Sequence, residues 1–419
     1  MLKFACKNII YSRKQWFSFT RRTFYASSKL LQLKRLAQAK QSSHMLNVVW
    51  NDDTVSKYSY IYLRDHCLCS TCYHPTSEQR LTHMKNLDLK VLPSNVHVND
   101  IEGKLSITWD DGHVSEFDSK WLLSRAFTDK RDDLDNKEMF VQKGVKLWYR
   151  DFDIPHFSFG LVLGDEQSLL DWMEALHKYG LVIMSGAPRE LGQVHRIGSA
   201  VGFLRKTFYG SSVALRSEPQ ARSLAYTGYE LQPHTDLPYY EFKPSVILLH
   251  CIDQVRSSGG ENTFVDGYSI LKAFRNDNPD GFDLLASTPV LHRVKGVEPT
   301  YGEFEQLFAR PIIELDVKGR IRRINFNDPL REEFLDTPAE QIPKVYRAYH
   351  KLTQMFYEPK FIVRNKMAPG DICAIDNDRL LHGRSAFEVK SDDLRLLEQA
   401  YIDWDIIRSK MKILTRKIR

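Results

Sequence analysis

The sequence predicts a mainly β protein with helices: a small β-rich module, then a larger sandwich or jelly roll carrying helical insertions. Three observations point there. Short strand-like runs separated by Pro and Gly recur along the chain, only two segments show an extended helical period, and a charged, apolar-poor stretch near 128–140 separates two regions. At 419 residues the chain also exceeds what one hydrophobic core usually organises. These shifts set the expected boundaries: a leader over 1–44, the β-rich module over 45–135 and the larger domain over 140–419.

Residues 1 to 45 hold ten Lys or Arg, and the first acidic residue is Asp52. Lys3, Lys7, Arg13, Arg21 and Arg22 are interspersed with Leu2, Phe4, Ile9, Trp16 and Phe19, the pattern of a mitochondrial transit peptide, so the matrix is the expected location. A disordered basic arm is the alternative. The segment from Arg21 to Ser28 suits a processing site, and a second basic stretch through Lys40 leaves the cut open. Subtracting the leader's ten basic residues from 59 leaves 49 against 53 acidic ones, so the body is slightly acidic and nucleic acid is not an expected partner. No apolar run approaches the roughly 18 residues needed to cross a bilayer, so no membrane span is expected.

In the module, Val48 to Trp50, Leu89 to Leu92, Leu105 to Trp109 and Val114 to Phe117 read as strands. Beyond the charged stretch, Leu169, Leu170, Met173, Leu176 and Tyr179 give a helix with acidic residues at its start and Gly180 as its stop. The strand Leu181 to Met184 follows. A second helix is carried by Ile342, Val345, Tyr346, Tyr349, Leu352, Met355 and Phe356, with Thr337-Pro338 as its opening. Ser245 to Cys251, Pro311 to Leu315, Phe361 to Arg364 and Asp371 to Ile375 read as further strands.

His234 and Asp236 stand two apart, which on a strand places imidazole and carboxylate on one face. Chance alone yields about one His-x-Asp in a chain of this composition. What lifts the pair is the segment Pro369 to Arg384, which reads as a turn, a strand and a loop presenting His382. Two His and one carboxylate leave three octahedral positions of iron(II) open for substrate oxygens and O2. Thirteen residues past His382, Arg395 lies in a β-like stretch where its guanidinium suits the far carboxylate of a dicarboxylic acid.

Of six Cys, three crowd into Cys67-x-Cys69-x-x-Cys72, too close in sequence for a disulfide ladder. With His113 they would complete a closed, tetrahedral, structural zinc site, while His66 and His74 lie near as competing ligands.

From about Val48 onward the chain resembles the gamma-butyrobetaine dioxygenase family within the 2-oxoglutarate oxygenases. The resemblance rests on Tyr62 to Cys67, Thr207 to Gly210, Leu248 to Cys251, Phe264 to Gly267, Arg323 to Asn327, Arg379 to Arg384 and Tyr401 to Asp405. It implies a double-stranded β-helix catalytic domain behind a zinc module, and a homodimer. It also implies Fe(II), 2-oxoglutarate and O2 as cofactor and cosubstrates, with ascorbate as a candidate reductant. The implied substrate is a small quaternary ammonium carboxylate, and the preferred reaction converts 4-trimethylammoniobutanoate (gamma-butyrobetaine) to L-carnitine in carnitine biosynthesis. N6-trimethyllysine or another small carboxylate is the alternative. A non-catalytic mitochondrial binding protein is a third reading, opposed by the unbroken triad. Tyr209, Tyr226 and Tyr401 match an aromatic cage, Asn327 matches a residue near the substrate carboxylate, and Asn262 stands where relatives carry a hydroxyl near the cosubstrate. Two departures fall on the cage: Val213 replaces a Trp and Ser223 replaces an Asn.

Overall fold

The computed structural model describes residues 34–99, 101–127, 139–216, 227–298, 301–335, 337–388 and 395–418. The leader up to residue 33 and the charged stretch 128–138 lie outside them. The chain divides into two compact units, Met1–Lys137 and Glu138–Arg419.

The first unit holds two three-stranded antiparallel sheets. One joins β1 (Leu36–Gln41), β2 (Met45–Trp50) and β3 (Val55–Ser59), followed by the helix α1 (Tyr60–Asp65). The other joins β4 (Pro93–Asn99), β5 (Lys104–Trp109) and β6 (Val114–Asp118), followed by α2 (Ser119–Ser124). Alternation sets the inner faces: Leu46, Val48 and Trp50 on β2, and Leu105, Ile107 and Trp109 on β5, enter one core with Tyr58 and Phe117. Each sheet satisfies a buried indole in the same way, Trp50 donating to Ser56 Oγ and Trp109 to Ser115 Oγ. Two expectations need correction. The folded module begins before Met45, because β1 pairs with β2. Leu89 to Leu92 form no strand, since the run enters a turn in which Leu89 and Leu92 are exposed and only Val91 reaches the core.

The second unit runs β7 (His156–Ser158), α3 (Glu166–Tyr179), β8 (Leu181–Ser185), α4 (Gln193–Val201), β9 (Ser212–Arg216), β10 (Leu231–His234), β11 (Val246–Asp253) and β12 (Asn262–Asp266). It continues with α5 (Gly267–Asp277), α6 (Pro279–Ser287), the long hairpin of β13 (Pro289–Glu298) and β14 (Gly302–Pro311), α7 (Ile342–Phe356), β15 (Ile362–Asn365), β16 (Ile372–Asp376), β17 (Leu380–Arg384), β18 (Leu396–Ile402) and α8 (Trp404–Ile418).

A six-stranded sheet has the order β9-β18-β11-β16-β8-β7, and a four-stranded sheet the order β10-β17-β12-β15. Side-chain alternation makes them a sandwich. Ile247, Leu249, Cys251, Cys373, Ile375, Leu397 and Tyr401 from the large sheet meet Phe264, Val363 and Leu380 from the small one in a shared core. The opposite registers face helices: Val182, Met184, Leu248 and Ala374 pack with α3, α4 and α8, while Val265 and Leu381 pack with α5, α6 and α7. This is the double-stranded β-helix, a jelly roll with helices on both outer faces.

Helix α3 matches its expected span. The Asp165 carboxylate accepts the Ser168 N–H at its start, and Gly180 closes it at φ 76°, where a Cβ would also come within 3.2 Å of Arg379 Cδ. Helix α7 begins later than expected. Pro338 caps a short 3-10 turn, Ala339–Gln341, and Pro343 occupies the first turn of the helix itself.

Candidate active site

Where the sandwich interior opens, polar side chains replace apolar ones at inward positions. His234 closes β10 and lies directly across from His382 in the ladder between β10 and β17, with ring centroids 4.3 Å apart. His382 is therefore inside a strand and not on a loop, and Gly383 beside it leaves room that a Cβ would lose to Leu231 O at 2.5 Å. Asp236 lies beyond the end of β10 and not on it, and a turn with Leu237 at φ 54° swings its carboxylate back. Asp236 Oδ1 then sits 3.3 Å from His234 Nε2 and 3.5 Å from His382 Nε2. Neighbouring ligands about 2.1 Å from a common octahedral ion lie about 3 Å apart, so the three atoms need close only slightly to share one.

Partners behind these atoms fix their direction. His234 Nδ1 lies 2.8 Å from the Gln232 carbonyl, to which its N–H can donate, leaving the Nε2 lone pair for a metal. Asp236 Oδ2 accepts from Tyr401 Oη at 2.9 Å and from the Gln399 amide. Burial opposes ionisation of Asp236, yet the His382 and His234 imidazoles hold its carboxyl well below the usual range. Burial, reinforced by His234, pulls His382 down to about 4, so its imidazole is neutral at pH 7 as a metal ligand must be.

Arg395 precedes β18 on the face shared by Leu397, Gln399 and Tyr401. It is 5% exposed, and among the described residues no carboxylate pairs with it; its Nε has no hydrogen-bond partner. Burial lowers the guanidinium to about 10, which still leaves it charged at pH 7. Arg384 lies two residues past His382 on the same face, and both guanidinium groups lie over the Phe387 ring, at 4.7 Å for Arg384 and 6.0 Å for Arg395. Asn262 is the ladder partner of Arg384, and its Oδ1 is buried with no hydrogen-bond partner among the described residues. A buried cation beside the metal corner fits the free carboxylate of 2-oxoglutarate.

Tyr209 and Tyr401 both come to this region. Tyr209 Oη is 3.2 Å from Tyr239 Oη, and burial, with Asp236 next, pushes Tyr401 well above its ordinary value and keeps it a neutral donor. Val213 pairs with Gln399 across β9 and β18, which puts its side chain on the face of the metal corner. Asn327 is buried and donates to the Thr235 carbonyl at 3.3 Å. Tyr226 and Ser223 lie outside the described residues. Sequence reasoning missed Gln399, Tyr239, Arg384 and Asn377. Gln399 had a signal: it is a polar residue on the strand face it shares with the apolar Leu397 and with Tyr401.

The pattern described as "Taurine catabolism dioxygenase TauD, TfdA family" matches residues 149–401, and "Gamma-butyrobetaine hydroxylase-like, N-terminal" matches residues 37–123. The chain belongs to the TauD family of dioxygenases. It is 34% identical to the human gamma-butyrobetaine dioxygenase over 91% of this chain and 97% of that protein, and 32% identical to the Pseudomonas enzyme of the same name over 91% and 96%. A bovine protein named trimethyllysine dioxygenase, mitochondrial, is 26% identical over 83% of each chain. The chain is thus a 2-oxoglutarate-dependent dioxygenase of the group that includes these two activities.

The N-terminal part of this TauD-family chain carries a second cluster. Cys67, Cys69 and Cys72 Sγ lie 3.2, 3.6 and 3.6 Å from His113 Nε2. A tetrahedral zinc with Zn–S about 2.3 Å and Zn–N about 2.0 Å requires S···N of about 3.5 Å, so the donor set fits zinc. The competing imidazoles are engaged elsewhere. His66 Nδ1 lies 2.8 Å from the Tyr62 carbonyl and its Nε2 2.7 Å from Arg80 Nη2, while His74 Nδ1 contacts Ser77. Asp111 accepts the His113 N–H, and Arg64 donates to Cys72 Sγ at 3.5 Å, a cation placed to stabilise a thiolate.

Proposed function

We propose that this chain hydroxylates 4-trimethylammoniobutanoate at C3 to give L-carnitine, with Fe(II) held by His234, Asp236 and His382, 2-oxoglutarate anchored by Arg395, and zinc held by Cys67, Cys69, Cys72 and His113. The observation that carries the substrate reading is the tyrosine group beside Asp236. Tyr209 Oη meets Tyr239 Oη, Tyr401 Oη donates to Asp236, and the Asp236 charge acts on all three phenols. A trimethylammonium group accepts no hydrogen bond and donates none of ordinary strength, so aromatic faces are what can hold it. Iron, when bound, supplies the O2-activating centre that couples decarboxylation of 2-oxoglutarate to succinate with hydroxylation of a C–H bond.

The chain's own residues bind, orient and exclude water. Arg395 fixes the far carboxylate of 2-oxoglutarate, Gln399 and Tyr401 hold the Asp236 carboxylate by its outer oxygen, and Phe264, Leu397 and Leu249 close the interior. Asn327 and the tyrosines orient the substrate.

N6-trimethyllysine is the second reading, favoured by Val213: the cation has one aromatic face fewer, and a valine in place of an indole leaves space toward a longer substrate bearing the same cation. Purified protein is offered each compound and succinate release and product mass are compared. Hydroxylation of gamma-butyrobetaine at higher kcat/KM supports the proposal, and preference for trimethyllysine replaces it. A mitochondrial location rests on the basic, acid-free leader, and residues 1–45 fused to a fluorescent protein should direct it to mitochondria.

A further inference from the structure

We propose that Asn377 is the positioning residue that couples the two arms of the metal corner, and that the buried Lys243 seats it. The carboxylate arm is a turn held in an unfavourable shape: Leu237, immediately after Asp236, has φ 54°, a region that residues with a Cβ avoid. Such a conformation persists only where its surroundings over-determine it. Asn377 does so from both sides of Asp236. Its Oδ1 accepts the Asp236 N–H at 2.7 Å, and its Nδ2 donates to the Asp236 carbonyl at 3.0 Å and to the Pro244 carbonyl at 2.8 Å.

Asn377 belongs to the turn that leaves β16 and feeds β17, the strand carrying His382. One fully buried amide thus ties the turn that aims Asp236 to the segment that delivers His382. Lys243 Nζ, itself buried, donates to the main-chain carbonyls of Asn377 and Ile324, both at 2.9 Å, with Asp378 Oδ1 3.9 Å away. The neighbouring Thr235 is pinned independently to Phe326, so the Asp236 peptide is the part of this loop that depends on Asn377.

The inference rests on reading His234, Asp236 and His382 as the metal site. The test uses full-length, zinc-replete protein titrated with Co(II) in the presence of 2-oxoglutarate, following visible absorption, together with thermal melting of the protein before Co(II) is added. Failure of the unaltered protein to bind Co(II) at this corner would remove that reading, whereas the variants test the brace. N377A deletes all three bonds, and N377D keeps the volume but sets an oxygen against the Asp236 and Pro244 carbonyls. Both should weaken Co(II) roughly ten- to a hundredfold while remaining folded. K243M, which keeps the side-chain volume but removes the bonds to the Asn377 and Ile324 carbonyls and leaves the Asn377 side-chain bonds in place, should weaken it several-fold. A purely structural role would lower the melting temperature and leave Co(II) affinity alone. An affinity within twofold of the unaltered protein in a folded Asn377 variant, or in K243M if neither Asn377 variant folds, overturns the proposal.

Discussion

A buried guanidinium that pairs with no carboxylate among the described residues loses hydration that an anion can replace, which makes Arg395 a sensitive probe of the cosubstrate site. Losing a charge-assisted bidentate pair of about 2–3 kcal/mol corresponds to roughly a hundredfold in affinity. Arg395→Met is therefore expected to raise the KM for 2-oxoglutarate by about that factor. Arg395→Lys should fall between, because an ammonium cannot reproduce the planar fork. His234→Ala or Asp236→Ala should abolish substrate-coupled succinate formation, and turnover retained by either variant would refute the metal assignment. Val213 faces the metal corner opposite Gln399, so Val213→Trp restores an aromatic face. A gain of about 1 kcal/mol would lower the KM for gamma-butyrobetaine roughly fivefold, and an unchanged or raised KM would mean that the cation binds elsewhere.

Within β16 and its following turn, burial, with Asp378 next, pushes Asp376 up to about 7; Oδ1 accepts from Trp404 Nε1 while Oδ2 has no partner among the described residues. A carboxyl raised in the folded state contributes fully below its unfolded value near 3.8 and loses that contribution as pH rises through 7. Denaturation at pH 4 to 8 should show this decline, on the order of a few kcal/mol, and Asp376→Asn should flatten it. An equal decline in the variant would assign the pH dependence to other groups. Elements with one strong local signal were legible in the sequence: α3 through its three-and-four spacing and Gly180, and β8, β11 and β16 through short apolar runs. Legibility failed where a long-range contact decides the outcome. Asp236 leaves its strand because Asn377 and Leu237 shape a turn, and no pattern local to His234 encodes that. His382 reads as loop-borne from its Asp-Asn-Asp approach, yet it is drawn into a strand by pairing with β10 and β12. The ligand types and their number were readable, while Asn377, which braces the Asp236 turn, and Tyr239, which meets Tyr209, became visible only through three-dimensional neighbours.

Across the whole chain, two donor sets of different chemistry lie in two compact units, one of soft thiolates and one of imidazole and carboxylate. A mild chelator should strip the second and leave one zinc per chain, as metal analysis by mass spectrometry would show, and zinc absent from carefully prepared protein would refute the structural site. Cys72→Ser is expected to destabilise the first unit by several kcal/mol, seen as faster proteolysis between residues 34 and 127. The ladder between β10 and β17 has a kinetic consequence as well. His234 and His382 become neighbours only when segments far apart in sequence have found each other, a pairing that carries a loop-closure entropy cost. An iron ion therefore meets all three donors only in a molecule whose sandwich has already closed. Unfinished chains are spared redox-active metal at this corner, and the ion's binding energy favours the closed sandwich.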